Sequence, residues 1–171
     1  MHPMANVILI GMPGAGKSTV GVVLAKRLGY RFVDSDLVIQ EHEGMLLHRI
    51  MEEKGLEGFL KTENDVNASL QTERSVIATG GSVIYGGGAM AHLKSIGTVV
   101  YLKLACASVK ERLGDLKERG VALRDGQTLE NLYEERIPYY EKYADYTVDC
   151  DDKMIKDIAA EIADIVRRNG K

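Results

Sequence analysis

Gly11, Gly16, Lys17 and Ser18 stand at the fixed positions of the pattern G-x-x-x-x-G-K-[ST], with Met12, Pro13, Gly14 and Ala15 between them. Each part has a physical reason. Glycines let the backbone curl until successive N–H groups point inward at phosphate oxygens, as peptide nests do. A helix opening near Lys17 adds the positive end of its dipole. Lys17 is a point charge for β- and γ-phosphates, the Ser18 hydroxyl is placed to ligate Mg²⁺, and Thr19 follows it. The bland reading is a glycine-rich strand-to-helix turn, but the motif follows an apolar run and opens a helical pattern, so nucleotide binding is expected. ATP and Mg²⁺ are the ligands it implies.

GTPases, ATPases and small kinases share this motif. No N-K-x-D follows, which weakens a guanine-specific reading, and the third apolar run ends in Thr79-Gly80-Gly81 with no aspartate. The acidic partner of the metal is therefore sought elsewhere, and Asp34 is the best candidate. Asp34 and Asp36 close the second strand. On an extended segment their side chains point the same way while Ser35 points away. One carboxylate near Mg²⁺ and one beside an accepting hydroxyl would suit that placement. Asp36 also precedes a helical run, so it doubles as a candidate N-cap.

Other chemistries find little support. The 22 basic and 25 acidic residues leave a net charge of −3, against the basic excess of proteins that bind nucleic acid. Cys106 and Cys150 have neither metal-ligand spacing nor disulfide density, and the four histidines form no ligand pattern. No signal peptide is visible, and no run approaches the roughly 18 apolar residues of a membrane span. A soluble cytoplasmic protein is expected.

These residues need a scaffold. The 171 residues suit one domain, 1–171, at roughly 100–200 residues per domain. Continuous apolar runs at 6–10, 30–33, 75–79 and 98–102, with a short one at 146–148, read as strands buried on both faces. Helical periodicity marks 17–28, 37–70 with breaks at Gly44 and Gly55, 108–116, 128–143, and a last stripe of Ile155, Ile158, Ile162, Ile165 and Val166. Alternation of this kind predicts a parallel sheet covered on both faces, with ligands at the carboxyl ends of its strands. The polar, glycine-containing segment at about 114–126 reads as a mobile lid.

In order and spacing the sequence resembles the shikimate kinase family. The likeness is carried by the phosphate loop with Thr19, then Phe32-Val33-Asp34-Ser35-Asp36, then Gly80-Gly81. Arg112 and Arg119, seven residues apart, come next, followed by Arg136-Ile137-Pro138-Tyr139-Tyr140 and Ala144-Asp145. The resemblance implies a three-layer α/β P-loop kinase fold with a five-stranded parallel sheet. It also implies transfer of the ATP γ-phosphate to a ring hydroxyl of a small-molecule acceptor; a monomer is expected. Carried over by position, Gly14, Ala15, Gly16, Lys17, Ser18 and Thr19 bind the phosphates, and Ser18 and Asp34 serve the metal. Asp36 binds the accepting hydroxyl and takes its proton, while Gly80 and Gly81 line the acceptor. Arg112 stacks on adenine, Arg119 reaches from the lid to the phosphates, and Arg136 holds the acceptor carboxylate. Phosphoryl transfer needs this kind of positioning and positive charge, with little covalent work from the protein.

The acceptor half departs from the family pattern. Where the family has Gly-Glu-x-x-Phe-Arg-x-x-Glu, this chain reads Gly55 to Glu63 with Leu60 in place of the arginine. Ser82 replaces a third glycine, and Arg119 to Leu123 replaces the usual Arg-Pro-Leu-Leu. Lys61 lies about 100° further round the helix and should face elsewhere, and Arg49 enters only if the intervening turn folds it back. Arg136 is thus the expected principal cation, the pocket beside Leu60 should be apolar, and shikimate should bind weakly. Two alternatives stay open: a kinase of this build for another small hydroxylated acceptor, such as a sugar acid or hydroxy amino acid, and an inactive nucleotide-binding regulatory module.

Overall fold

A computed structural model describes residues 5–113 and 124–169. Five strands form one parallel sheet: β1 (Asn6–Ile10), β2 (Arg31–Asp34), β3 (Ser75–Ala78), β4 (Gly97–Lys103) and β5 (Tyr146–Asp149), in the order β2-β3-β1-β4-β5. The all-parallel, five-stranded expectation is met. Every residue of β1 and β3 is buried, whereas the edge strands β2 and β5 are partly exposed. Runs such as Val7-Ile8-Leu9-Ile10 are apolar throughout because both of their faces are covered.

The helices are α1 (Lys17–Leu28), α2 (Ser35–Glu43), α3 (Leu47–Ala68), α4 (Gly87–Ile96), α5 (Cys106–Leu113), α6 (Leu129–Tyr143) and α7 (Ile155–Asn169). α1 packs on α7 and against β2 and β3, while α4 packs on α3 and against β4. Right-handed crossovers put these two pairs on opposite faces of the sheet. Both expected breaks are present. Gly44 caps α2 at φ 68°, and Gly55, at φ 72° and ψ 177°, interrupts α3.

Two local expectations change, and one element lies where no expectation was stated. The extended segment stops at Asp34, so Asp36 lies in the first turn of α2. Asp34 is the N-cap, its Oδ1 accepting from the Asp36 N–H at 3.0 Å. The third strand ends at Ala78, one residue early. Helix α4 and the short 3₁₀ turn Val83–Tyr85 before it follow from no local signal, because Gly86, Gly87 and Gly88 read as loop. Burial of Ala89, Met90 and Leu93 in the main core makes α4 a helix despite its glycine start. Of the expected lid, 114–123 lies outside the described residues, and Arg119 with it.

Register decides where the site is. Leu9 pairs with Ala78 and Ala78 with Asp34, so the chain leaves β1, β3 and β2 at one level. The connections after β1 and β3 depart to opposite faces and open a crevice between the two strands, where open parallel sheets bind ligands. The phosphate loop and Gly80-Gly81 form its walls.

Helix α6, which closes the crevice, starts with a reciprocal cap: Thr128 Oγ1 accepts from the Asn131 N–H at 3.1 Å, and Asn131 Oδ1 from the Thr128 N–H at 3.3 Å. Thr128→Ala should cost about 1 kcal/mol and lower Tm by about 2–4 °C, as read from thermal and urea unfolding.

Candidate active site

The loop from Gly11 to Gly16 curls as its motif requires, and Gly16, at φ 90°, hands the chain to α1. Lys17, 8% exposed, folds back across the loop. Its Nζ donates to the carbonyls of Gly11 at 2.6 Å and Met12 at 2.9 Å. Ser18 Oγ donates to Asp34 Oδ2 at 3.3 Å, which joins the start of α1 to the end of β2. These two oxygen groups at the mouth of the loop suit a hard divalent cation. Thr19 lines the same opening. Arg112, on α5, donates to the Gly14 carbonyl at 3.2 Å and so lies along the outer side of the loop.

Beside the loop opens a pocket of about 300 Å³, lined among others by Lys17, Asp36, Phe59, Glu63, Gly80, Gly81 and Arg136. Of the sequence-expected site residues among the described ones, Gly14, Gly16, Lys17, Ser18, Thr19, Asp36, Gly80, Gly81 and Arg136 line this pocket, Asp34 and Arg112 reach it only through Ser18 and Gly14, and the Ala15 side chain is buried in the core. The structure adds one that the reading of the sequence did not single out. Glu63 is 2% exposed; its Oε1 accepts from Ser82 Oγ at 2.6 Å, and its Oε2 has no hydrogen-bond partner among the described residues. An acidic residue amid polar neighbours on a helix carries no local sign of burial.

Two glycines make this crowding possible. A Cβ at Gly80 would lie 2.7 Å from Asp36 Oδ1 and 2.9 Å from Glu63 Oε2. One at Gly81 would lie 2.8 Å from Arg136 Nη1 and equally close to Pro13. The turn after β3 is therefore wedged between the two carboxylates on one side and a guanidinium on the other. Arg136 is 1% exposed, and its Cζ lies 5.5 Å from the centre of the Tyr85 ring. Tyr140 closes the back, donating its hydroxyl proton to the Gly81 carbonyl at 2.7 Å.

Burial shifts the titrations. Desolvation pushes the Asp36 carboxyl up to about 6, with Asp34 adding repulsion and Lys17 opposing it. Desolvation lifts Glu63 to about 7, and lowers the Lys17 ammonium to about 8 despite the pull of Asp36. Near neutral pH the pocket thus holds two carboxylates able to exchange protons and two cations.

The expectation around Leu60 is overturned in part. Lys61 does face away, paired with Asp65 at 2.9 Å, and Arg49 is exposed and 3.7 Å from Glu52. The small cavity beside Leu60 is apolar only in part, however. Its lining includes Arg124, Glu135, Gln127 and Tyr85 as well as Leu56 and Leu132. Arg124 and Gln127 come from the turn before α6 and Glu135 from α6 itself, all more than sixty residues away, and Tyr85 comes from the 3₁₀ turn after β3.

A family model described as "Shikimate kinase" matches residues 13–167. Shikimate kinase of Vibrio parahaemolyticus is 39% identical over 165 residues, covering 95% of this chain and 96% of its own. That of Actinobacillus succinogenes is 39% identical over 170 residues, covering 97% of each. Among solved structures, shikimate kinase from Acinetobacter baumannii in complex with shikimate superposes with a TM-score of 0.88 at 33% identity. That match covers 99% of this chain and 96% of the other. A deoxyadenosine kinase from M. mycoides, at 15% identity and TM-score 0.60, shares the fold alone.

Because the Lys17 charge lowers the pKa of both carboxyls, Lys17→Met should move the Asp36 and Glu63 midpoints upward from about 6 and about 7. Carboxyl NMR titration of the ligand-free protein checks this, and midpoints that stay in place would contradict the cluster.

Proposed function

Given that this chain belongs to the shikimate kinase family, ATP-dependent phosphotransferases acting on a hydroxyl, we propose that it converts shikimate to shikimate 3-phosphate. The observation that carries this reading is the meeting of Lys17, Asp36 and Arg136 in one pocket beside the phosphate loop. Members of the family use ATP and Mg²⁺, and the residues present suit both.

In this reading the backbone N–H groups of Gly14, Ala15, Gly16 and Lys17, with Thr19 beside them, cradle the phosphates. Lys17 exchanges the Gly11 and Met12 carbonyls for phosphate oxygens and stabilises charge as it develops. Ser18 and Asp34 hold the Mg²⁺, whose contribution is to neutralise phosphate charge. Asp36 orients the accepting hydroxyl and takes its proton; a carboxyl titrating near 6 is ionised at neutral pH yet basic enough to share that proton. Gly80 and Gly81 leave room for the ring, and Arg136 pairs with the carboxylate. Arg112 serves the adenine side. Arg119, outside the described residues, is assigned to the phosphates by resemblance alone.

The pairing of Ser82 with Glu63 and the presence of Leu60 favour a second reading, the same transfer to another small hydroxylated acid. Steady-state kinetics with a panel of such acids, coupled to ADP release and identification of the phosphorylated product, tests both. Shikimate as the preferred acceptor supports the first reading, and a different preference supports the second.

Two outcomes are expected in that assay. Lys17→Ala should fold normally and lose on the order of 10³-fold or more in turnover. In wild type, kcat/KM should be bell-shaped. Asp36 is raised from 3.8 to about 6, so its basic form disappears as pH falls through about 6 rather than near 4. The Lys17 charge, lowered to about 8, disappears as pH rises through about 8. Both limbs belong to the free enzyme, which is what kcat/KM reports.

A further inference from the structure

The pocket is electrically closed before any acceptor arrives. Lys17 and Arg136 stand against Asp36 and Glu63, so the four formal charges cancel when all are ionised. An acceptor that brings a carboxylate adds a negative charge beside Glu63 and Asp36, and triphosphate competes for Lys17. Arg136 alone must then serve its own neighbours and the newcomer. A second cation is called for on the Arg136 side.

The helix that walls the pocket offers none there. Phe59 and Glu63 of α3 face the pocket, while Leu56 and Leu60 line the adjoining small cavity. Across that cavity stands Arg124, in the turn before α6, with its side chain 52% exposed. Arg124 Nη1 lies 2.9 Å from Glu135 Oε1. Glu135 Oε2 accepts from the Tyr85 hydroxyl at 2.5 Å and from Gln127 Nε2 at 3.4 Å. The opposite side of this chain of contacts is the acceptor pocket, because the Tyr85 ring also carries the Arg136 guanidinium. Arg124 and Arg136 are therefore separated by one tyrosine and one glutamate.

We propose that Arg124 is a specificity-determining residue, which leaves Glu135 to bind the carboxylate of the acceptor together with Arg136. The inference rests on the reading of a ring acid as the acceptor. Two features make the exchange feasible. Glu135 keeps the Tyr85 hydroxyl and the Gln127 amide when Arg124 turns away, so no buried carboxylate is orphaned. Half of the Arg124 side chain is already in solvent, so little packing is lost. Leu60 then has a physical role, since a short apolar side chain leaves room for a guanidinium arriving from the turn before α6. With Arg124 present, weak binding of shikimate no longer follows from Leu60.

The test compares shikimate with its primary amide, which has the same ring and hydroxyls without the charge, for wild type, Arg124→Gln and Arg124→Lys. Arg124→Gln should raise KM for shikimate by about 10- to 100-fold, the range of one charge-assisted contact. It should leave KM for the amide and for ATP at their wild-type values, and Arg124→Lys should recover part of the loss. An unchanged KM for shikimate, or an equal rise for shikimate and its amide, overturns the assignment of Arg124 and leaves shikimate as acceptor intact. Wild type that turns over neither compound overturns the acceptor reading itself, and this inference with it.

Discussion

Lys17, Glu63 and Arg136 are buried with Asp36 half-buried beside them, and none of these charges tolerates the loss of water alone. An ionised side chain withdrawn from water costs several kcal/mol, and only opposite charges and hydrogen bonds at short range offset that cost. Here the offset is incomplete. The two carboxylates are pushed up and the lysine down, which is the signature of desolvation outweighing attraction. The cluster stores an unmet demand for ligand charge and hydrogen bonds, most visibly at Glu63 Oε2. The rest of the fold exists to hold these groups where they would not stay by themselves.

The sheet does this by register. Because β1, β2 and β3 run parallel with Leu9, Asp34 and Ala78 at one level, three chain reversals deliver their residues to one crevice. The phosphate loop contributes the lysine, the start of α2 contributes Asp36, and the turn after β3 contributes only backbone. That last contribution is what lets charged atoms approach from both sides of Gly80-Gly81. Rigid strands buried on both faces give the crevice a fixed width, and α6 closes it with Arg136 and Tyr140.

The two departures from the family pattern meet on one residue. Glu63 lies one helical turn from Leu60, which offers it no donor, and it takes the Ser82 hydroxyl instead. The acceptor wall is thus rebuilt with neutral hydrogen bonding in place of charge, while cationic character moves to the turn before α6, where Arg124 faces Glu135. Tyr85 links the two regions by stacking under Arg136 and donating to Glu135.

Beyond what the family resemblance implied for the acceptor side, the sequence by itself determined the phosphate loop, the parallel alternation of strands and helices and the breaks at Gly44 and Gly55. All of these are written in local signals: a fixed glycine spacing, an apolar run, a 3.6-residue stripe. Tertiary structure alone decided that Asp34 caps α2 in place of Asp36, and that 87–96 is helical despite its glycines. It also decided that Glu63 is buried and that the space beside Leu60 is charged. Apart from the Asp34 cap, whose bond is local, each of these depends on a partner distant in the chain: Glu63 on Ser82, Tyr85 on Glu135 and Arg136, Ala89 and Met90 on the core beneath them. A side chain's exposure and charge partners are set by what packs against it, and periodicity records which face of an element is apolar but not which distant element meets its polar edge.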